Sequence, residues 1–258
     1  MKDGIAIAKF FRIEIKGGKG KLNSGIYIAA SGSLMQEKRL ELTTNNLANV
    51  STVGYKRDNL LFESFLAESG DYVVPVGVKT DFSNGTMKNT GNELDIAMEG
   101  DGFFSVKTPN GIRYARGGNL KLNKDNILVT QAGYPVLGEA GPIKVSGTDI
   151  TINSGGEILT GAGLDIVPAG TLKIVDFPKP YHLEKEGEGL FRAAGKEKAK
   201  KAKDVFIRQG FVETANINSL REIVTLIDIQ RSYESYQKVI QSIDSINGKA
   251  VNDIARVG

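Results

Sequence analysis

Apolar residues return at helical intervals at both ends of the chain and at strand intervals between them. Toward the C-terminus, Leu226, Tyr233 and Ile240 recur every seven residues, and Ile229, Tyr236 and Ile243 repeat the interval three places later. This is the a/d seam of a helix built to lie lengthwise on another helix. Val239 and Ile246 widen the stripe, so more than one neighbour is wanted. Arg231, Glu234 and Lys238 lie off it, the last two at a favourable i, i+4 spacing. Asn216 or Asn218 is placed to cap the helix, Glu222 stands where the helix dipole favours an anion, and the first breaker is Gly248. The predicted element has about 28 residues and is roughly 42 Å long.

At the other end the spacing predicts a helix over residues 24–46, with Ile28, Met35 and Leu42 seven apart and Gln36, Glu37, Lys38 and Arg39 on its wetter side. Gly32 inside this helix costs about 1 kcal/mol relative to alanine, so the helix depends on a partner. The C-terminal helix is the obvious one. Between the two helices the pattern shortens to alternating runs at residues 112–114, 120–122, 143–145, 150–152 and 172–174, divided by turn-formers such as Pro109-Asn110-Gly111 and Ser154-Gly155-Gly156. These predict half-buried strands that pair mostly antiparallel. All seven prolines and most of the 31 glycines fall in this middle portion, which leaves both ends free of proline.

The fold class that follows is α+β: long amphipathic helices at the two ends pack together in a coiled-coil-like way, with an all-β domain inserted between them. The expected boundaries are 1–21 for an extension, 22–55 for the N-terminal helix and an asparagine-rich loop, and 56–79 for a linker. Residues 80–205 form the β-rich domain, and 206–258 complete the discontinuous helical domain. The lysines from Lys196 to Lys203 predict an exposed connector.

Residues 1–21 resemble a signal peptide only at first: the apolar run from Ile5 to Phe11 is followed by charged residues and by no small-residue cleavage site. Lys16-Gly17-Gly18-Lys19 can be encoded by a purine-rich stretch like a ribosome-binding site, and Leu22 by a TTG codon. The native start is therefore expected at Leu22.

Composition narrows the function classes. With no cysteine, thiolate nucleophiles, thiolate metal sites and disulfides are excluded, and the single histidine, His182, has no second histidine to build a site with. Basic and acidic residues number 33 and 30, too even a balance for nucleic-acid binding. No stretch approaches the roughly 20 apolar residues that cross a bilayer, so no direct membrane insertion is expected. Glu99-Gly100-Asp101-Gly102 lacks the lysine and spacing of a phosphate loop, and Asn123 to Asn126 lacks the closing glutamate of a calcium loop. No cofactor or metal is expected. Asp95, Glu99 and Asp101 offer a group that could pair carboxylates as a glycoside hydrolase does, at a separation the sequence does not give. A secreted carbohydrate-binding β module is the other rival reading, and neither explains the seams.

Four stretches carry a resemblance. Gly25-Ile26-Tyr27-Ile28-Ala29-Ala30-Ser31-Gly32, followed by Thr44-Asn45-Asn46-Leu47-Ala48-Asn49-Val50-Ser51-Thr52-Val53-Gly54-Tyr55-Lys56-Arg57, resembles the N-terminal signature of bacterial flagellar rod and hook proteins. The run from Thr90 to Phe104 is similar to that family's middle motif, and Gln230-Arg231-Ser232-Tyr233-Glu234 lies in a segment similar to its C-terminal one. Ser33 departs from the pattern, standing where a hydrophobic residue is expected. Residues 80–83 and 136–143 look closer to proximal than to distal rod subunits.

The resemblance implies a structural, non-enzymatic subunit of the basal-body rod. It would be exported by the flagellar type III apparatus without a cleaved signal and assembled in the periplasm with other rod subunits and copies of itself into the shaft that carries torque. The assembly interface is expected at Ile28, Met35, Leu42, Asn45, Asn46, Leu47 and Asn49 of the first helix and loop. On the last helix it is expected at Leu226, Ile229, Tyr233, Tyr236, Ile240 and Ile243.

Overall fold

The computed structural model describes residues 21–65, 72–147, 149–161, 166–194 and 198–257. The extension expected at residues 1–21 lies outside them except for Lys21, which opens the first helix. Among the described residues the fold is α+β, with two helices and strands that pair antiparallel. The chain divides into two compact units, residues 1–48, 57–81 and 217–258 in one and residues 49–56 and 82–216 in the other.

In the first unit, helix α1 (Lys21–Ala48) packs on helix α2 (Ser219–Val257) and on a hairpin of β1 (Asp58–Phe65) and β2 (Tyr72–Thr80). The hairpin replaces the linker expected at residues 56–79. Pro75 in the middle of the second run reads as a strand breaker, yet the register slips between Leu61 and Phe62, pairing Leu61 with Gly77 and Phe62 with Pro75. That bulge is where a residue without an N–H can sit in a ladder. Helix α2 begins as predicted: Asn218 caps it, its Oδ1 accepting the Arg221 N–H at 3.0 Å. It does not stop at Gly248, where a side chain would meet open space, and runs to Val257. One glycine costs about 1 kcal/mol, which a 39-residue helix absorbs.

The second unit is all β. Its largest sheet has the order β15–β16–β6–β5–β14–β17, with β5 (Phe103–Thr108), β6 (Gly111–Ala115), β14 (Ile174–Asp176), β15 (Leu183–Gly187), β16 (Leu190–Ala193) and β17 (Lys200–Lys201). Strand β5 is covered on both faces, because Phe103 and Phe104 point to opposite sides and each joins a different core cluster. Phe103 joins Val175, Phe177, Leu183 and Phe191, with Phe82 and Tyr181 set edge-on against its ring at 5.8 and 5.6 Å. Phe104 joins the larger cluster that holds Ile96, Met98, Leu128, Ile143 and Ile158.

A second sheet has the order β11–β12–β13, formed by β11 (Ile150–Ile152), β12 (Glu157–Thr160) and β13 (Val167–Thr171). Short pairs complete the unit: β3 (Met87–Asn89) with β19 (Phe211–Glu213), β4 (Ile96–Glu99) with β18 (Phe206–Gln209), β7 (Lys121–Leu122) with β8 (Leu128–Val129), and β9 (Leu137–Gly138) with β10 (Gly141–Pro142).

Four sequence expectations shift here. The run at 143–145 makes one isolated bridge, Lys144 to Ile127, and the run at 172–174 straddles the break between β13 and β14. The lysine-rich connector contributes Lys200 and Lys201 as the sheet-edge strand β17, a position where charge blocks further pairing. Residues 206–216, assigned to the helical segment from sequence, belong to the β unit.

Candidate functional site

The site predicted from sequence is a helix surface, and the structure divides its residues. On α2, Ile229 is fully buried, while Leu226, Tyr236, Ile240 and Ile243 are half-buried and Tyr233 is 41% exposed. On α1, Ile28 is 45% exposed, and Met35, Leu42 and Leu47 are half-buried. The stripe of α1 that is buried instead reads Ala29, Ser33, Gln36, Thr43 and Asn46. It is small and polar, and it is offset around the helix from the Ile28, Met35 and Leu42 row.

This stripe was missed because it carries almost no hydrophobic signal. Two glycines on α1 explain how it packs. A β-carbon at Gly32 would fall 2.4 Å from the Tyr236 ring, and one at Gly25 would touch Ile243 Cδ1 at 3.4 Å. Large side chains of α2 therefore seat on bare backbone of α1, the close approach that glycine permits. Ser33, the departure noted from sequence, is 8% exposed and its hydroxyl has no hydrogen-bond partner among the described residues.

The asparagine loop splits by role. Asn46 is 2% exposed and clasps the start of the hairpin, its Nδ2 donating to Asp58 O at 2.9 Å and its Oδ1 accepting the Asp58 N–H at 3.0 Å. Asn49 is half-buried and accepts from Thr52 Oγ1 at 3.2 Å, a turn-making role. Asn45 is exposed. Arg57 Nε lies 2.8 Å from Glu222 Oε1 in the first turns of α2, so Glu222 serves an ion pair as well as the helix dipole.

A second group of exposed apolar residues on α2 follows helical spacing: Leu220, Ile223, Val224 and Ile227, between 45% and 72% exposed. They stand on the face turned away from Glu222 and Ile229, both 1% exposed. Their i, i+3, i+4, i+7 pattern is legible in the sequence but falls outside the seven-residue seam.

The three carboxylates considered for hydrolysis answer to separate partners. Asp95 accepts from Thr90 Oγ1 at 2.7 Å, Glu99 pairs with Arg208 at 3.0 Å, and Asp101 pairs with Lys179 at 2.6 Å. His182 enters the hydrogen bonding through its backbone carbonyl, which accepts from Ala194 N–H. Among the described residues, no group of three or more His, Asp or Glu side chains is arranged to hold a metal ion, and no helix is long and apolar enough to cross a membrane.

Three family profiles match the chain along its length. Residues 26–56 match one described as flagella basal body rod protein, residues 97–160 the flagellar hook protein FlgE/F/G D1 domain, and residues 208–253 the flagellar basal body rod FlgEFG protein C-terminal region. The chain is 30% identical to the flagellar basal-body rod protein FlgF of Caulobacter vibrioides, across 92% of this chain and all of that one. It belongs to the flagellar basal-body rod family. Other rod-family relatives are FlgF of Rhizobium meliloti, 31% identical over 90% of this chain and 98% of that one, and FlgG of Agrobacterium fabrum, 31% identical over 85% and 95%. FlgF and FlgG relatives thus stand at the same distance. The first and last profiles of this rod family cover the two helices where the exposed apolar residues lie.

Proposed function

We propose that the chain is a structural subunit of the flagellar basal-body rod, built into the shaft through its terminal helices and without a catalytic role. Family membership supports the first part. The observation that carries the mode of assembly is the apolar row left exposed on α2, Leu220, Ile223, Val224 and Ile227, with Ile28, Leu34 and Leu40 exposed singly on α1. An ordered apolar row of this kind on a long helix is an interaction surface for further helices, extending the pairing of α1 and α2 beyond one chain. The occupants are copies of this chain and other rod subunits. Asn45, exposed near the C-terminal end of α1, contributes to that contact.

Separate engagement of Asp95, Glu99 and Asp101 argues against a hydrolase. Delivery by the flagellar export apparatus without a cleaved signal, and a periplasmic place in the proximal part of the rod, complete this reading. The likeness of residues 80–83 and 136–143 to proximal subunits supports that place. The test is a chain carrying Ile223→Asp and Ile227→Asp. Its circular dichroism should match the parent, and it should fail to restore motility to a strain lacking the gene. Swimming cells with normal rods would refute assembly through this face. Electron microscopy of isolated basal bodies with a tagged subunit separates a proximal from a distal position.

A further inference from the structure

The β unit is closed by its own last residues. Strand β4 pairs with β18 and β3 with β19, partners separated by more than a hundred positions, as the Glu99–Arg208 pair illustrates at a separation of 109. Ile96, Ala97, Met98, Ile207 and Val212 of these strands are all buried. At the end of β19, the Glu213 side chain is 2% exposed and meets two cations that come from earlier in the chain. Lys56 Nζ donates to Oε1 at 2.7 Å and Arg116 Nε to Oε2 at 2.6 Å. The Gly85 N–H donates to Oε1 at 2.8 Å, and Gly54 N–H to the Glu213 backbone carbonyl at 2.7 Å.

Arg116 carries this gathering further. Its remaining donors reach the carbonyls of Met98, Gly100 and Gly102 and the side-chain oxygen of Asn84. Lys56 also donates to Ser83 O at 2.7 Å. Residues 54–56, 83–85 and 98–102 are thus drawn around one carboxylate, and the strand that delivers it is the last of the unit. Without Glu213, Arg116 has no carboxylate partner among the described residues. A cation left buried without its carboxylate is strongly destabilising, so the closed arrangement of these segments depends on β19 being in place.

We propose that Glu213 is a closing clasp: β3, β4, β18 and β19, with residues 49–56, open and close as one cooperative element distinct from the six-stranded sheet, and the β unit completes only when residues 206–216 arrive. Synthesis delivers the chain N-terminus first, so the clasp sets the order in which the unit forms. It rests on the geometry around Glu213 and is independent of the assembly reading.

Native-state hydrogen exchange on the full chain at pH 7 tests it. Amides of residues 96–99 and 206–213 should share one opening, at a lower free energy than those of 103–108 and 111–115. Glu213→Gln should accelerate exchange in the first group by about a hundredfold or more, while the second group and α2 change by no more than about threefold. A wild-type chain in which both groups exchange through the same opening would overturn the proposal, as would a Gln variant that loosens the whole unit equally or leaves it unchanged. If the Gln variant does not fold, the wild-type pattern and Glu213→Asp decide, the latter being expected to loosen the same set alone.

Discussion

The ring of Tyr236 lies against the backbone of Gly32, where the β-carbon of any other residue would come within 2.4 Å of it. Propensity alone values alanine over glycine by about 1 kcal/mol in a helix interior. Packing reverses the sign, because the ring must leave its seat, and overpacking of this kind costs about 1–3 kcal/mol. Gly32→Ala is therefore expected to lower the thermal stability of the helix pair, and adding Tyr236→Ala to it should recover part of the loss. A Gly32→Ala chain more stable than its parent would show that the ring can move aside freely.

That relationship marks how far the sequence could be read. The seven-residue intervals located α2 and put Ile229 on its seam, since long side chains at regular spacing announce a seam. They placed it at an assembly interface, whereas the structure buries it within the chain, a distinction beyond what spacing can tell. The matching face of α1 is made of Ala29, Gly32, Ser33, Gln36 and Thr43, whose close packing depends on small size and leaves no hydrophobic period to find. The hairpin over β1 and β2 was obscured by Pro75, tolerated only because of a bulge. Residues 206–216 read as the approach to a helix because Phe206, Ile207, Phe211 and Val212 find their partners more than a hundred residues upstream, and no local pattern records so distant a pairing.

Ser33 offers the opposite case to Gly32. Its hydroxyl is buried without a hydrogen-bond partner, so it carries a desolvation cost with no return. Ser33→Ala removes that group, favours the helix and leaves the volume almost unchanged. It is expected to raise stability by about 1 kcal/mol, measured by chemical denaturation. A loss of similar size would reveal a partner for the hydroxyl.

Gly54 combines two demands. Its φ is +68°, and a β-carbon there would lie 2.2 Å from Gly117 N and 2.6 Å from the Arg116 carbonyl carbon. Backbone cannot step aside as a ring can. Gly54→Ala is expected to cost about 3 kcal/mol or more, well beyond the conformational penalty alone. Thermal unfolding of the purified chain measures it, and a change below about 1 kcal/mol would mean the loop has another way to reach Glu213.

Acid should act on the clasp. Burial pushes the Glu213 carboxyl upward, but Arg116 and Lys56, helped by the Gly85 N–H, outweigh it and hold the group below its ordinary value of 4.5. The folded chain therefore releases this proton more readily than the unfolded chain. The stability it contributes is complete above about pH 5 and is lost as the pH falls below the ordinary value toward the lower folded one. Glu139 and Glu186 are also held low, by Lys201 and Arg113, but both are exposed and solvent screens their effect. Melting temperatures between pH 7 and pH 3 should fall less steeply for Glu213→Gln than for the parent, from a lower starting value. Parallel curves would remove Glu213 from the acid response.

The helix surface yields the contrast that separates folding from assembly. Ile229 is 1% exposed and Tyr233, one turn on, is 41% exposed, although both lie on the predicted seam. An aspartate at 229 would bury an unpaired carboxylate between the helices, whereas one at 233 stays in water. Ile229→Asp is expected to unfold the helix pair at room temperature, seen as lost ellipticity at 222 nm, and to abolish motility with it. Tyr233→Asp should hold the ellipticity within about a tenth of the parent, since surface changes are usually within about 0.5 kcal/mol, and still impair motility. If Tyr233→Asp swam normally, the exposed half of the seam would have no neighbour in the rod. If it lost its helices as Ile229→Asp does, the seam would serve the single chain alone.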